Sequence, residues 1–222
     1  MNRDELARYI DHTLLKPDAT PQQIEGLCRE ALEHHFASVC INPIYVTLAS
    51  RTLQGSDVDV CTVVGFPLGA VPTAAKVCTT ELAIAQGANE IDMVIPLGQL
   101  RAGHSDVVRG DIAALAAVCH AQDAILKVII ETALLTEEEK VTACRLAQEA
   151  QADFVKTSTG FAKGGATVED VALMHRTVGP ALKVKAAGGI HTYDEALAMI
   201  NAGASRLGAS QGVAIVQGAP IA

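Results

Sequence analysis

Short apolar segments recur along the whole chain, and most of them are continuous rather than alternating with polar residues. Continuous apolar runs of about four to eight residues are typical of parallel strands that are covered on both faces. The pattern therefore predicts eight buried parallel strands. In chain order they lie in the segments YIDHTLL (9–15), ASVCI (37–41), VDVCTVVGF (58–66), EIDMVIP (90–96), AILKVIIET (124–132), DFVKTST (153–159), LKVKAAGG (182–189) and SRLGAS (205–210).

Segments with helical periodicity separate these predicted strands, and several of them begin with a recognisable cap. Thr20, Thr136 and Thr192 are each followed three residues later by Gln or Glu, which is the spacing of a capping box. Gly87 and Gly203 follow two of the periodic segments, at the place where a helix commonly ends. Helices are therefore predicted between the strands.

Eight strands alternating with helices predict an α/β fold, namely a (β/α)8 barrel of the TIM type with an additional N-terminal helix before the first strand. The alternative is an open, doubly wound sheet. That alternative is disfavoured because no GxGxxG sequence follows the first predicted strand. Since no linker or low-complexity segment interrupts the pattern, we expect residues 1–222 to form a single barrel domain.

Charge and hydropathy narrow the classes of partner. The net charge of −8 leaves no basic face for nucleic acid, although a few local donors can still hold one small anion. No apolar run reaches the roughly 20 residues that a membrane-spanning helix needs. The N-terminal sequence MNRDELARYI has no secretory apolar stretch. We therefore expect a cytoplasmic protein with no nucleic-acid and no membrane partner.

The cysteines and histidines show no spacing that is typical of a metal site. The six cysteines form no CxxC pair, and the seven histidines form no HxH, HxxxH or HExxH sequence. The cysteines lie in apolar segments, which favours reduced, buried thiols over disulfides. We expect neither a metal nor another cofactor.

Two lysines stand inside predicted strands that neighbour each other. Lys156 in DFVKTSTGF and Lys185 in LKVKAAGG lie at similar depth on consecutive strands. Burial and the repulsion of a second ammonium group both lower lysine pKa values, and a neutral amine attacks carbonyl carbons to form a Schiff base. The alternative is that each lysine forms a structural ion pair, with Asp92 as the obvious carboxylate. Two lysines on adjacent strands favour catalysis.

Glycines after the last two predicted strands indicate a phosphate site. In such barrels the loops after strands seven and eight commonly bind phosphate. The backbone amides of Gly188, Gly189 and Gly208 can approach an anion without a Cβ atom in the way, and the Ser210 hydroxyl adds a donor. Ordinary turn glycines are the alternative, which two such loops in these positions make less favourable.

Taken together, the segments IDHTLLKPDAT, SVCINPIYV, CTVVGFPLG, EIDMVIPLG, LKVIIET, FVKTSTGF, KVKAAGGIHT and RLGASQGVAI resemble the deoxyribose-phosphate aldolase family from about residue 10 to residue 216. The resemblance implies a class I, Schiff-base-forming aldolase. Such enzymes reversibly cleave 2-deoxy-D-ribose 5-phosphate to D-glyceraldehyde 3-phosphate and acetaldehyde, without a metal. The expected partners are therefore a small phosphosugar and aldehydes, and we also expect a homodimer.

The resemblance also implies roles for individual residues. Lys156 matches the Schiff-base lysine, Lys185 the second active-site lysine and Asp92 the proton-relay carboxylate. The expected phosphate-binding residues are Gly188, Gly189, Gly208 and Ser210, and the expected supporting network is Asp11, Lys127 and Thr157.

The sequence departs from the family pattern at two places. Phe161 stands where some members carry a lysine directly after STG, and Lys163 is a candidate to replace that lysine. The C-terminal segment VQGAPIA lacks the tyrosine that some members have.

Two other functions remain alternatives: a sugar-phosphate epimerase or isomerase without a covalent lysine, and a phosphosugar-binding protein without turnover.

Overall fold

Eight parallel strands close into one barrel in the computed structural model, which describes residues 1–221. Each predicted segment contains one strand, so the predicted fold class is confirmed. The strands are β1 (Ile10–Leu14), β2 (Ser38–Ile41), β3 (Asp59–Val64), β4 (Glu90–Val94), β5 (Ile125–Ile129), β6 (Phe154–Lys156), β7 (Lys183–Ala187) and β8 (Arg206–Ala209).

Helices follow the strands and cover the outside of the barrel. The capping boxes predicted at Thr20, Thr136 and Thr192 are all present, and each threonine side chain accepts a hydrogen bond from a backbone amide. The helices are α1 (Arg3–Ala7), α2 (Pro21–His34), α3 (Val46–Thr52), α4 (Thr73–Ala85), α5 (Leu97–Arg101), α6 (Ser105–His120), α7 (Glu137–Glu149), α8 (Val168–Val178), α9 (Tyr193–Asn201) and α10 (Gly212–Gln217).

The additional N-terminal helix, α1, lies before β1 and packs against α10. The Arg3 guanidinium donates hydrogen bonds to the carbonyl oxygens of Gln217 and Ala219, at 2.9 and 3.1 Å. Because α10 runs from the C-terminal end of β8 back to α1, these bonds hold the C-terminal segment at the end of the barrel opposite the strand C-termini. No helix within residues 1–221 is both long enough and apolar enough to cross a lipid bilayer.

Apolar packing and charge occupy different parts of the barrel. The large apolar core lies between the strands and the surrounding helices. A small apolar cluster of Leu15, Cys40, Cys61 and Val63 forms separately from that core. Side chains alternate between the two faces of a strand, so charged residues spaced two apart face the barrel axis together. The interior of the barrel is therefore charged, and the strands fix the order of those charges.

Candidate active site

Seven charged side chains from six strands meet inside the barrel. Hydrogen bonds and ion pairs connect all of them, and only Arg206 is appreciably accessible to solvent. We call this set the ion-pair cluster; it consists of Asp11, Glu90, Asp92, Lys127, Lys156, Lys185 and Arg206.

Asp92 on β4 lies at the centre of the ion-pair cluster. Its Oδ1 atom accepts a hydrogen bond from Lys127 at 2.9 Å, while Oδ2 accepts one from Lys156 and one from Lys185, both at 2.7 Å. Burial raises the pKa of this carboxyl group, but the three ammonium groups outweigh burial and hold the pKa well below its ordinary value. Asp92 is therefore a carboxylate in the resting protein.

Lys156 and Lys185 are paired across β6 and β7, as their places in the two strands predicted. Lys185 has two carboxylate partners, with Asp11 at 2.5 Å and Asp92 at 2.7 Å. Burial lowers the pKa of Lys185, yet Asp11 and Asp92 outweigh burial and raise the pKa above its ordinary value. The expectation of a lowered pKa is therefore wrong for Lys185, because two carboxylates approach it where the sequence suggested one.

A cavity of about 320 Å³ opens at the C-terminal ends of the strands, and Lys156 reaches it. Lys185, Asp92, Asp11 and Lys127 lie below the cavity, each fully buried. The cavity lining consists of Thr13, Leu14, Leu15, Lys16, Lys156, Thr159, Gly160, Phe161, Ala187, Gly188, Gly189, Ile190, His191, Gly208, Ala209 and Ser210.

The four residues of the expected phosphate site all line this cavity. Gly188 and Gly189 have φ angles of +84° and +78°, in the left-handed region that favours glycine. A Cβ atom at Gly208 would lie 3.0 Å from the Cβ of Ala187 and 3.2 Å from the Cε of Lys185. Gly208 therefore gives room to the Lys185 side chain, in addition to facing the cavity.

The three residues of the expected supporting network separate into two groups. Asp11 and Lys127 belong to the ion-pair cluster. Thr157 is buried and lies outside the cluster: its hydroxyl donates to the Ala187 carbonyl oxygen at 3.2 Å and accepts from the Ala187 amide at 3.1 Å. Thr157 thus ties the end of β6 to the end of β7, beside the two lysines.

A family model described as DeoC/LacD family aldolase matches residues 6–218. The chain belongs to this family of aldolases. Among curated relatives, the deoxyribose-phosphate aldolase of Brevibacillus brevis is 59% identical over 96% of this chain and 95% of its own length. That of Thermococcus kodakarensis is 58% identical over 99% of both chains. The tetrameric deoxyribose phosphate aldolase of Aeropyrum pernix superposes with a TM-score of 0.92 at 30% identity, over 97% of this chain and 91% of that chain. The predicted resemblance is thereby confirmed.

In this DeoC/LacD aldolase, the cavity lining includes Phe161 but not Lys163, the candidate to replace the lysine that some members carry at the Phe161 position. Phe161 lines the cavity, half-exposed, with its ring 5.2 Å from that of Phe66 in an edge-to-face arrangement. Lys163 does not line the cavity, whereas Lys16, from the loop after β1, does.

Sequence reasoning missed two members of the ion-pair cluster, Glu90 and Arg206. Arg206 donates to Asp11 at 2.6 Å and to the two oxygens of Glu90 at 3.0 and 3.2 Å. The signal was present, because Glu90 lies two residues before Asp92 and Arg206 two residues before Gly208. The period of a strand puts each pair on one face.

A further missed contact fixes the loop that follows β6. Glu131, after β5, has a left-handed backbone with φ of 53°. Its carboxylate accepts hydrogen bonds from the hydroxyl of Thr159 and, at 3.2 Å, from the amide of the same residue. Since Thr159 lines the cavity, Glu131 helps to set the shape of the cavity wall.

The fold also brings together donor groups that the sequence spacing did not reveal. Cys40, Cys61 and Asp92 place one potential ligand atom each within 4.8 Å of one another, as do Asp11, Cys61 and Glu90. Burial, and then the hydrogen bond to Cys40, raises the pKa of Cys61 well above its ordinary value, so Cys61 is a protonated thiol rather than a thiolate ligand. The carboxylates already bind ammonium and guanidinium groups. These groups are therefore poorly suited to hold a metal ion.

Proposed function

We propose that this aldolase reversibly cleaves 2-deoxy-D-ribose 5-phosphate to D-glyceraldehyde 3-phosphate and acetaldehyde through a Schiff base on Lys156. The observation that carries the proposal is the difference between the two paired lysines. Lys156 reaches the cavity with its ammonium group 2.7 Å from Asp92, whereas Lys185 is fully buried beneath it. A substrate aldehyde can therefore meet the Lys156 nitrogen, and Lys185 is left to supply charge.

The ion-pair cluster contains one more cation than carboxylates, and its lysines differ in the number of their carboxylate partners. Four cations face three carboxylates in the cluster, so it carries one excess positive charge when every group is ionised. Lys185 stays charged because Asp11 and Asp92 raise its pKa. In the part of the chain that the structure describes, Lys156 has one carboxylate partner, Asp92, and it shares one oxygen atom of that carboxylate with Lys185. Loss of the Lys156 proton leaves the cluster neutral.

The reaction then follows from the chemistry of an amine and an aldehyde. The Lys156 nitrogen attacks C1 of the open-chain sugar, and loss of water gives an imine that withdraws electrons from C2. The C2–C3 bond breaks as the C3 hydroxyl loses its proton, so glyceraldehyde 3-phosphate leaves and an enamine of two carbons remains on Lys156. Protonation of the enamine carbon and hydrolysis of the imine release acetaldehyde.

We assign the proton transfers to Asp92 and Lys185, which are in hydrogen-bond contact with each other and lie next to Lys156. Because Asp92 has a strongly lowered pKa, it is a weak base in the resting site. Its oxygen atoms hold the amine and the ammonium group in place. Lys185 stays protonated in the resting site because its pKa is raised, so it donates a proton only to a strong base that forms during the reaction, such as an alkoxide or hydroxide.

Charge along the cavity supports a phosphorylated substrate. Among the residues that the structure describes, none of those lining the cavity is a carboxylate, although the protein has a net charge of −8. We propose that Gly188, Gly189, Gly208 and Ser210 hold the phosphate group, with Lys156 reaching the aldehyde end of the sugar.

Borohydride trapping tests the covalent step. Reduction in the presence of 2-deoxy-D-ribose 5-phosphate is expected to leave a stable adduct on the peptide that contains Lys156, and Lys156→Met is expected to abolish it. Lys183→Met is the matched control, because Lys183 lies on β7 two residues before Lys185 but at the N-terminal end of the strand. A label on Lys185 would reverse the assignment of the two lysines.

The same assay separates the alternatives. Turnover without any adduct would indicate an epimerase or isomerase type of chemistry, and binding without turnover would indicate a phosphosugar-binding protein. We propose that no metal or cofactor takes part, so turnover is expected to survive a chelator. Loss of activity in chelator, restored by a divalent ion, would overturn that part.

We also propose a cytoplasmic location and a homodimer. All six cysteines are free thiols, five of them buried, which fits a reducing compartment. Analytical ultracentrifugation distinguishes a dimer from the tetramer described for the Aeropyrum pernix relative.

A further inference from the structure

We propose that Lys16 is the cation that binds the phosphate group of the substrate at the cavity mouth, on the flank opposite Phe161. This inference rests on the proposed function, because it assigns a residue to the phosphate end of the same cavity. It concerns the side of the barrel where β8 closes onto β1.

The pairing of β1 with β8 places Lys16 beside the expected phosphate site. The strands β1 and β8 are paired, with Asp11 opposite Gly208 and His12 opposite Ala209. The segment that follows β1 therefore emerges beside Ser210, which follows β8. Lys16 and Ser210 both line the cavity, so the lysine lies on the β1 side of the expected phosphate site. Phe161, after β6, lies on the other side of the same cavity.

The backbone at Lys16 is fixed while its side chain is exposed. The Asn42 amide group donates hydrogen bonds to the carbonyl oxygens of Leu15 and Lys16, at 3.3 and 3.4 Å. The Tyr45 hydroxyl donates to the Ala19 carbonyl oxygen at 2.5 Å, farther along the same loop. A lysine on an anchored loop can present its ammonium group to a ligand with little reordering of the backbone.

Most of the other lysines form ion pairs or lie away from the cavity. Among residues 1–221, five of the eight lysines form ion pairs with carboxylates, and Lys183 starts β7 at the far end of the barrel. That leaves Lys16 and Lys163, of which Lys16 lines the cavity. The five paired lysines are Lys76, Lys127, Lys140, Lys156 and Lys185.

Lys16 also has the charge that a phosphate group requires. A phosphate dianion that leaves water needs charge-assisted partners as well as neutral amides. In the described lining, the charged or titratable side chains are Lys16, Lys156 and His191. Lys156 is required for the aldehyde, and His191 is a cation only when protonated. Lys16 is therefore the permanent cation available to the phosphate at neutral pH.

The test compares Lys16→Met with Lys163→Met on two sugars. With Lys16→Met, the ratio of kcat/KM for 2-deoxy-D-ribose 5-phosphate to that for 2-deoxy-D-ribose is expected to fall about tenfold or more, mainly through KM, because one charged contact is lost. Lys163→Met is expected to leave the ratio unchanged. An unchanged ratio in Lys16→Met, or a fall only in Lys163→Met, would overturn the proposal.

A rescue variant separates loss of charge from damage to the loop. Phe161 lines the same cavity and is half-exposed, so Phe161→Lys supplies a cation from the opposite flank. In the Lys16→Met background, Phe161→Lys is expected to recover most of the ratio. If it recovers none while both variants keep the wild-type melting temperature, a phosphate contact is not what Lys16 provides.

Binding of inorganic phosphate makes the test independent of catalysis. Titration calorimetry on the unliganded protein is expected to show phosphate binding that weakens about tenfold in Lys16→Met and declines with added salt. If wild type does not cleave the sugar phosphate yet this difference persists, the proposed function fails and the role of Lys16 stands. If cleavage occurs and phosphate binding is equal in the two proteins, the role of Lys16 fails alone.

Discussion

Two ammonium groups lie 2.7 Å from the same oxygen atom of Asp92, but their surroundings differ. Lys185 has a second carboxylate, Asp11, and the two carboxylates keep it charged. Within residues 1–221, Asp92 is the one carboxylate paired with Lys156, which borders the cavity. Lys185 thus keeps its charge in the resting site, whereas Lys156 is the lysine that a ligand in the cavity can reach.

Replacing Lys185 with leucine tests this division of roles. The variant removes the fixed cation, so a protonated Lys156 then balances the three carboxylates, and borohydride trapping is expected to require more alkaline pH than in wild type. Turnover at neutral pH is expected to fall by about 100-fold or more, since the nearby acid is also lost. The measurements are the pH profile of trapping and the steady-state rate.

Lys185→Arg is the comparison that separates charge from proton transfer. Arginine keeps the positive charge but gives up no proton at these pH values. The variant is expected to keep the wild-type pH profile of trapping while its turnover stays low. A leucine variant that traps substrate with the wild-type profile would show that Lys185 does not control the charge of Lys156.

The strands were predictable because apolar runs, helix caps and glycines all indicated the same alternation of strands and helices. The ends of the strands were harder to predict. β6 has only three residues, although the apolar run in the sequence continues to Thr159. It ends early because the Ala187 and Thr159 amides donate to side-chain oxygens, of Thr157 and Glu131, instead of continuing the backbone ladder. The roles that the sequence could not assign depend on which strands face each other across the barrel. Arg206 on β8 contacts Glu90 on β4, and no spacing in the sequence gives that distance.

Outside the barrel, one buried ion pair connects two helices to a strand. Lys76 on α4 donates to Asp111 on α6 at 2.6 Å and to the carbonyl oxygen of Val94, the last residue of β4, at 2.8 Å. The Thr73 hydroxyl donates to the other oxygen of Asp111 at 2.7 Å. The pair therefore anchors the strand that carries Asp92.

We expect Lys76→Met to lower the free energy of unfolding by about 3–5 kcal/mol, because it leaves a buried carboxylate without its cation. The double variant Lys76→Met, Asp111→Leu removes both charges and is expected to recover much of that loss. Arg109→Met is the control, since its pair with Asp106 is exposed on α6 and is worth about 1 kcal/mol or less. Urea unfolding measures all three. Equal losses in the buried and exposed variants would contradict the prediction.

For the whole molecule, the ion-pair cluster ties six of the eight strands together and spans the closure between β8 and β1. The chain has a net charge of −8, yet four of its cations are gathered on the barrel axis. Acid must protonate the carboxylates of this cluster, or alkali must deprotonate its cations, before the ion pairs stop stabilising the barrel. Stability against pH is therefore a property of the closed barrel and not of one helix or strand.

Acid titration of Asp11→Asn tests that link. Burial raises the pKa of Asp11, but Lys185 and Arg206 outweigh burial and lower the pKa below its ordinary value. A carboxyl group whose pKa is lower in the folded state adds stability above its unfolded pKa of about 4, and that stability is lost as the pH falls through the folded pKa. The pKa of Lys185 is raised, so its contribution is complete below about pH 10.

The deficit in unfolding free energy of Asp11→Asn relative to wild type is therefore expected to stay constant from about pH 5 to pH 8 and to shrink as the pH falls below about 4. It shrinks because wild type loses the contribution that the variant never had. Urea unfolding at a series of pH values measures the deficit, with Asp57→Asn as a control on an exposed ion pair. A deficit that stays constant below pH 4 would mean that the pKa of Asp11 is the same in the folded and unfolded states, and that the cations around it do not hold its charge.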